Sequence, residues 1–317
     1  VALNQGRAYS AGYYSIELQH TFAGWVKSVE GGAAVGEIIS EKMGADKLQR
    51  KHIGPVKYEE ISFKFGSGMS QKVWEWIKNS WNNTDIKNAR QDGAMVMYNY
   101  QLEEMSRLEW KYGLITEFGL PALDAKAKDA CDFTCKFQPE ITRNQIKKGG
   151  KMGSIPVDPA KQKKWLTSNF RLRIDGPPGL EEACKHTLKV DALTIKQKTT
   201  ENAVGEIRDY HREPTAIEIP NLVVTIPEAY IEGFVKWHED FVIKGNCDQS
   251  KEAHGTLEFL TPNLKETLLE VEFKNLGIFK CTREKGEALS DNLLNWKVEM
   301  YCEDLQLKQF KETYGNK

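Results

Sequence analysis

The chain has 317 residues, 40% hydrophobic and 28% charged, an ordinary globular balance at a length that favours two domains. Its 44 Lys+Arg against 45 Asp+Glu leave a net charge of -1, which excludes a chain-wide electrostatic grip on DNA or an anionic membrane. No apolar run approaches a membrane span, and the six cysteines, with no C-x-x-C pair, read as buried free thiols.

The opening "VALNQGRAYS" lacks the basic and apolar regions of a signal peptide and reads as a cytosolic start. Two strands are expected first. They are followed by a long polar loop from Gly31 to Gly54, "GGAAVGEIISEKMGADKLQRKHIG". Next, "KYEEISFKF" alternates Tyr58, Ile61, Phe63 and Phe65 against charged or small residues, with an irregularity at Glu59-Glu60. That alternation is a half-buried strand, and Gly66 to Gly68 is a turn. Three tryptophans then fall within eight positions, in "WEWIKNSW". At about 100° per residue, Met69, Val73, Trp74, Trp76, Ile77 and Trp81 share one half of a helical wheel. Gln71, Lys72, Glu75, Lys78 and Asn79 fill the other half. The indoles therefore belong to a core-facing helix and not to a stacking platform. "AMVMYNYQ", "RLEWKYGLIT" and "DFTCKFQP" close the first half as strands. Cys131 and Cys135 lie on that last, strand-like segment, so they do not form a helical metal pair.

The second half repeats this order. "FRLRIDG" is an opening strand, and "NLVVTIP" is a strand with Leu222, Val224 and Ile226 on one face. Pro227 suits the first turn of a helix. Tyr230, Ile231, Phe234, Val235, Trp237, Phe241 and Val242 form that helix's apolar face. Superposition without gaps places Ile61 on Leu222, Phe65 on Ile226, Val73 on Phe234 and Trp76 on Trp237. "VKSVEGGAAVGEI" also lines up with "IKQKTTENAVGEI", and "LEWK" with "VEFK". The reading is a tandem repeat of whole domains: residues 1–140, a Lys/Gly/Pro-rich linker at 141–166, and residues 167–317. The predicted fold class is mainly antiparallel β, with two similar β-sandwich or barrel domains, each flanked by one amphipathic helix.

Catalytic motifs are sparse. "GGKMGS" has Met152 after the Lys where a phosphate loop needs Ser or Thr, and "GSGMSQ" lacks the third Gly of a dinucleotide fingerprint. His238 beside Glu239 and Asp240 reads as a core or boundary histidine. Cys184 and His186 have no third group to orient them as a nucleophile pair. Glu59 and Glu60 are neighbours on a strand and face opposite ways. The expectation is a protein that is not an enzyme, with no catalytic, cofactor or metal site.

"FAGWVKSVEGG", "VGEIISEKMG" and "GPVKYEEISFKFGSGMSQKVWEWI" together resemble the tube protein family of contractile tails, the T4-type phage tail tube and its relatives in injection systems. The resemblance covers most of the first half. In the second half "PTAIEIPNLVV" departs from the family's Lys-Tyr pattern. The resemblance implies subunits that join edge to edge into rings, stacked as a hollow tube in a virion tail or injection particle built in the bacterial cytoplasm. It implies as partners the protein itself, then sheath, baseplate and tape-measure proteins. DNA or protein cargo would pass through without tight binding, and no membrane is involved. On this reading Trp74, Trp76, Trp81, Phe234 and Trp237 are core residues, and the Gly31–Gly54 loop is an arm carrying Gly44, Lys47, Arg50 and His52 to a neighbour. Two tube domains per chain would close a pseudo-sixfold ring as a homotrimer. A baseplate hub with two tube domains is the close alternative. A two-domain carbohydrate-binding β-sandwich is the alternative of another class.

Overall fold

The computed structural model describes residues 12–42, 44, 48–66, 68–81, 86–146, 165–203, 210–285 and 294–310. The strands of the first half are β1 (Tyr13–Leu18), β2 (Thr21–Val26), β3 (Ser28–Gly31), β4 (Ala34–Glu41), β5 (Arg50–Tyr58) and β6 (Ile61–Phe65). Helices α1 (Gln71–Ser80) and α2 (Ile86–Ala89) follow, then β7 (Arg90–Tyr98), β8 (Glu104–Leu120), β9 (Leu123–Asp124), β10 (Phe133–Gln138) and β11 (Ile141–Ile146). The second half contributes β12 (Phe170–Asp175), α3 (Leu180–Lys185), β13 (Lys189–Val190), β14 (Leu193–Asn202), β15 (His211–Glu218) and β16 (Leu222–Pro227). It ends with α4 (Glu232–His238), β17 (Ala253–Leu260), β18 (Thr267–Arg283) and β19 (Asn295–Phe310).

The protein is mainly antiparallel β, as the patterning predicts. One sheet runs β2-β1-β7-β8-β10-β6-β3, and a second runs β12-β17-β18-β19-β16-β13-β9. In the first sheet one stretch of chain, Thr21–Gly31, supplies both end strands: β2 pairs with β1 and β3 pairs with β6. Lys27 lies between them and donates its N–H to the Lys64 carbonyl at 2.8 Å. The sheet is therefore not a barrel closed by a continuous ladder, which corrects the barrel half of the expectation.

The helices cover the sheets as the apolar periodicities require. In β6, Ile61, Phe63 and Phe65 are buried and Lys64 is exposed. On α1, Val73, Trp74, Trp76 and Ile77 are buried. Trp76 stacks on Trp110 of β8 with ring centroids 6.4 Å apart, and meets Phe137 of β10 edge-on at 5.2 Å. Its indole N–H donates to the Ala89 carbonyl at 3.0 Å, so the only polar atom of a buried side chain is satisfied. Trp81 caps α1 half-buried, not in the core, because the helix has ended before its next turn faces the sheet. In the second half Leu222, Val224 and Ile226 of β16 are buried, and so are Phe234 and Trp237 of α4, which packs on β18.

Tyr230, Val235 and Val242 are exposed, against the expected apolar face of the second helix. The 3₁₀ turn Glu228–Tyr230 precedes α4 and the wider π turn Glu239–Ile243 follows it. Neither has a 3.6-residue period, so a single helical wheel fails at Tyr230 and Val242, while Val235 lies within α4 on its exposed side. Pro227 ends β16 instead of opening α4. The expected loop from Gly31 to Gly54 is in fact the β4–β5 hairpin, paired from Ala34↔Tyr58 to Glu41↔Arg50. Within the expected linker, β11 is a strand paired with β8. The rest of the linker to 164 lies outside the described residues.

The chain forms two compact units that interleave in sequence. One is Val1–Thr116, Cys135–Gln162 and Gln197–Ala216, and the other is Glu117–Thr134, Lys163–Lys196 and Ile217–Lys317.

Candidate assembly surface

Two β-hairpins lie off the main strand paths: β4–β5 forms a two-stranded sheet of its own, and β14–β15 joins the first sheet through β8. In β4–β5 every residue of β4 is exposed, including Val35, Ile38 and Ile39, and Ile53 of β5 is 76% exposed. Alternation normally hides one face of a strand. Here no described part of the chain covers either face, and the apolar side chains stand in solvent. Of the residues expected on the arm, Gly44 lies at the hairpin tip with φ 56°, and Arg50 and His52 are exposed on β5. Lys47 lies outside the described residues. At the base, Gly31 and Gly32 have φ of 89° and 82°, and a Cβ on Gly31 would collide with the Glu60 carbonyl. Glycine is required there for the chain to leave the sheet and enter the hairpin.

The β14–β15 hairpin is tied down. At its base, Leu193 to Lys196 pair antiparallel with Leu120 to Glu117 of β8, and Ile195 lies opposite Phe118. Both of these side chains are buried. Nearer the tip, Arg90 donates to the Arg212 carbonyl at 2.6 Å and to the Glu213 carboxylate at 2.9 Å. The Arg212 N–H donates to Glu140 at 3.0 Å, and the Arg212 guanidinium meets Glu201 at 2.8 Å. Glu140 is nearly buried and is matched by Arg90 at 3.8 Å, so its charge is compensated. A second charged cluster lies on the sheet. Arg107 of β8 binds Glu104 at 2.9 Å and Glu17 at 2.7 Å. Its hydrogen bond to Glu104 is the largest influence raising its affinity for the proton.

The groups considered for chemistry are not assembled. Burial pushes the Cys184 thiol up to about 12, the opposite of an activated nucleophile. His186 stacks on Tyr230 at 3.6 Å and contacts Glu182 at 3.2 Å, an exposed helix-end pair. His238 is half-buried at the end of α4, and Glu59 and Glu60 are exposed between β5 and β6. A cavity of about 730 Å³ beside β12 and α3 is lined by Leu172, Ile174, Leu180, Cys184 and Leu264 with Arg173 and Lys185. Among the described residues no group of three or more His, Cys, Asp or Glu is placed to hold a metal ion, and no helix is long and apolar enough to cross a membrane. Trp25, Trp74, Trp76, Trp110, Trp165 and Trp237 are buried and Trp81 and Trp296 half-buried, so no indole lies open as a sugar or base platform.

Residues 11–139 match the family model described as T4-like virus tail tube protein gp19. No curated protein matches the chain. Among solved structures, the chain is similar to one from the sheath-tube complex of an extracellular contractile injection system, PVC, in its extended state. That match has 16% identity and TM-score 0.39, covering 45% of this chain and 94% of the other. It is also similar to the tube-terminating cap of the anti-feeding prophage, at 15% identity and TM-score 0.37, covering 46% and 100%. A third is Hcp1 from Flavobacterium johnsoniae, at 13% identity and TM-score 0.26, covering 44% and 93%.

Proposed function

We propose, starting from the match of residues 11–139 to the T4-like virus tail tube family model, that this protein is a structural tube component of a phage or phage-like contractile injection system. The family match over the first sheet, α1 and the β4–β5 hairpin carries the reading. The role is assembly without catalysis.

The second half is a second tube domain. Its support is the strand order. The first sheet contains β1-β7-β8-β10-β6-β3, and the second contains β12-β17-β18-β19-β16-β13. Those are the same six positions in the same sequence order, with β11 fused onto β10 in the longer β19. β8 and β18 are both 17 residues long, and Glu104 and Leu120 answer Thr267 and Arg283. The ladders agree: Val29 faces Phe63 as Val190 faces Val224. This pairing favours Val29 with Val190 over the upstream "AVGEI" match, most of whose second copy lies outside the described residues.

Three such chains close a pseudo-sixfold ring that stacks into a tube. Sheath, baseplate and tape-measure proteins are the expected neighbours, in a particle assembled in the bacterial host. DNA or protein cargo passes through the lumen, and the near-neutral net charge of -1 avoids tight retention. Mass photometry and electron microscopy of the purified chain test this. Trimeric rings, stacking at high concentration, are expected. Six chains per ring would refute the pseudo-sixfold closure alone. A stable monomer at every concentration would refute the assembly role.

A further inference from the structure

The two hairpins are equivalent by position, yet only one has a seat. β14 and β15 occupy the same place before β16 that β4 and β5 occupy before β6, so Ala34 answers Ile195 and Arg50 answers His211. The β14–β15 hairpin is seated because Leu193–Lys196 continues the edge of β8 beyond β7, whose ladder ends at Arg90↔Leu114. The same edge exists on β18. Its ladder with β17 ends at Ala253↔Leu276, while β19 occupies the opposite edge as far as Arg283. Among the described residues no strand pairs with the β17 side of Lys280–Arg283.

Burial reports the difference. Phe118, Gly119 and Leu120 are buried at the end of β8, beneath β14. Their counterparts Cys281, Thr282 and Arg283 are half-buried or exposed, and Phe279 beside them is 40% exposed. An unpaired edge with an exposed aromatic residue is a site for strand addition. Matching charge lies nearby. Glu303 of β19 answers Glu140, the acceptor of the seated hairpin, and is exposed with only Asn275 as a hydrogen-bond partner among the described residues. Asp304 adjoins it. The free hairpin brings Arg50, Lys51 and His52 to the positions held by His211, Arg212 and Glu213 in the seated one.

We infer that the β4–β5 hairpin of one chain adds to the edge of β18 in a second copy, with Ala34 opposite Cys281 and its basic residues toward Glu303. The inference rests on the tube reading and names the contact that joins chain to chain. The seat cannot be filled within one chain by its equivalent hairpin, because that hairpin is already committed to β8. Each copy then offers one hairpin and one edge, a heterologous pairing that propagates around a ring until it closes.

Disulfide trapping tests the register. Residues directly opposite on antiparallel strands have Cα atoms about 4.5–5.5 Å apart, within disulfide range. Ala34→Cys, oxidised with copper phenanthroline in assembled rings, is expected to give covalent dimers and trimers on non-reducing gels. Cys281→Ser in the same background should abolish them, and Ser40→Cys, farther along the hairpin, should not form them. Glu303→Lys should lower ring yield at least tenfold, with partial recovery on adding Lys51→Glu. Wild-type rings with no Cys281-dependent link from Ala34→Cys would overturn the docking and leave the tube reading intact. Failure of the wild-type chain to form any ring would overturn both.

Discussion

The two core tryptophans should respond differently to replacement by phenylalanine, although they occupy matching places on α1 and α4. Trp76 is 1% exposed and its indole N–H is bonded to the Ala89 carbonyl at 3.0 Å. Trp237 is 5% exposed, and its indole N–H has no acceptor among the described residues. Truncation to phenylalanine removes part of an indole in both cases, at a cost of about 1–2 kcal/mol for the lost packing. At Trp76 it also strips the Ala89 carbonyl of a donor. Ser80 Oγ, at 3.5 Å, is a poor replacement, so a further ~1–3 kcal/mol is expected. At Trp237 it deletes an unpaired buried donor, which offsets part of the packing loss. Trp76→Phe should therefore cost ~2–5 kcal/mol and Trp237→Phe under ~1.5 kcal/mol. Urea unfolding followed by far-ultraviolet circular dichroism measures both, with any separate transitions fitted individually. Equal costs, or a larger loss at Trp237, would refute the hydrogen-bond argument.

Arg90→Ala leaves nearly buried Glu140 without its nearest cation and frees Glu213, and should destabilise the chain by about 3 kcal/mol in the same urea assay. Deleting Gly44 to His52 should leave the circular dichroism spectrum and unfolding midpoint nearly unchanged while impairing ring formation by mass photometry. Burial holds the Cys184 thiol up to about 12 and those of Cys281 and Cys302 up to about 11. Their contribution is fully present below the ordinary thiol value, and is lost as pH rises through the folded values because the unfolded chain ionises first. Unfolding midpoints should fall between about pH 9 and 11, less steeply in Cys184→Ala. A thiol reagent at neutral pH should label exposed Cys247 well before buried Cys131, Cys135 or Cys184.

Much of the fold was legible because it obeys short periods. Ile61, Phe63 and Phe65 alternate, and Val73, Trp74, Trp76 and Ile77 recur at helical spacing, so sheet and helix could be read from neighbours alone. The β4–β5 hairpin was illegible for the same reason. Its exposed Val35, Ile38, Ile39 and Ile53 meet no core among the described residues, and its polar residues mimic a loop. β11 was hidden by the Lys- and Gly-rich tract after it, which drew the linker boundary too early. Trp81 was misplaced because a wheel does not register where the helix stops. The candidate surface was legible only as a segment. Arg90, Glu140, Arg212 and Glu213 are scattered in sequence, and nothing local announces that they meet.

The interleaving of the two compact units bears on how the chain can be made. The first unit draws on Gln197–Ala216, and the second takes Glu117–Thr134 from the early part of the chain. A nascent chain that has emerged only to residue 140 thus lacks the β14–β15 strands, leaving Phe118 and Leu120 without the Ile195 and Leu193 that pair with them at the end of β8. Domains that fold one at a time during synthesis would normally settle the N-terminal one first. Here that order is barred, and an exposed sticky edge must wait until some sixty further residues have been added. Expression of the first half alone should accordingly give aggregates, and slow translation between the halves should lower the yield of the whole.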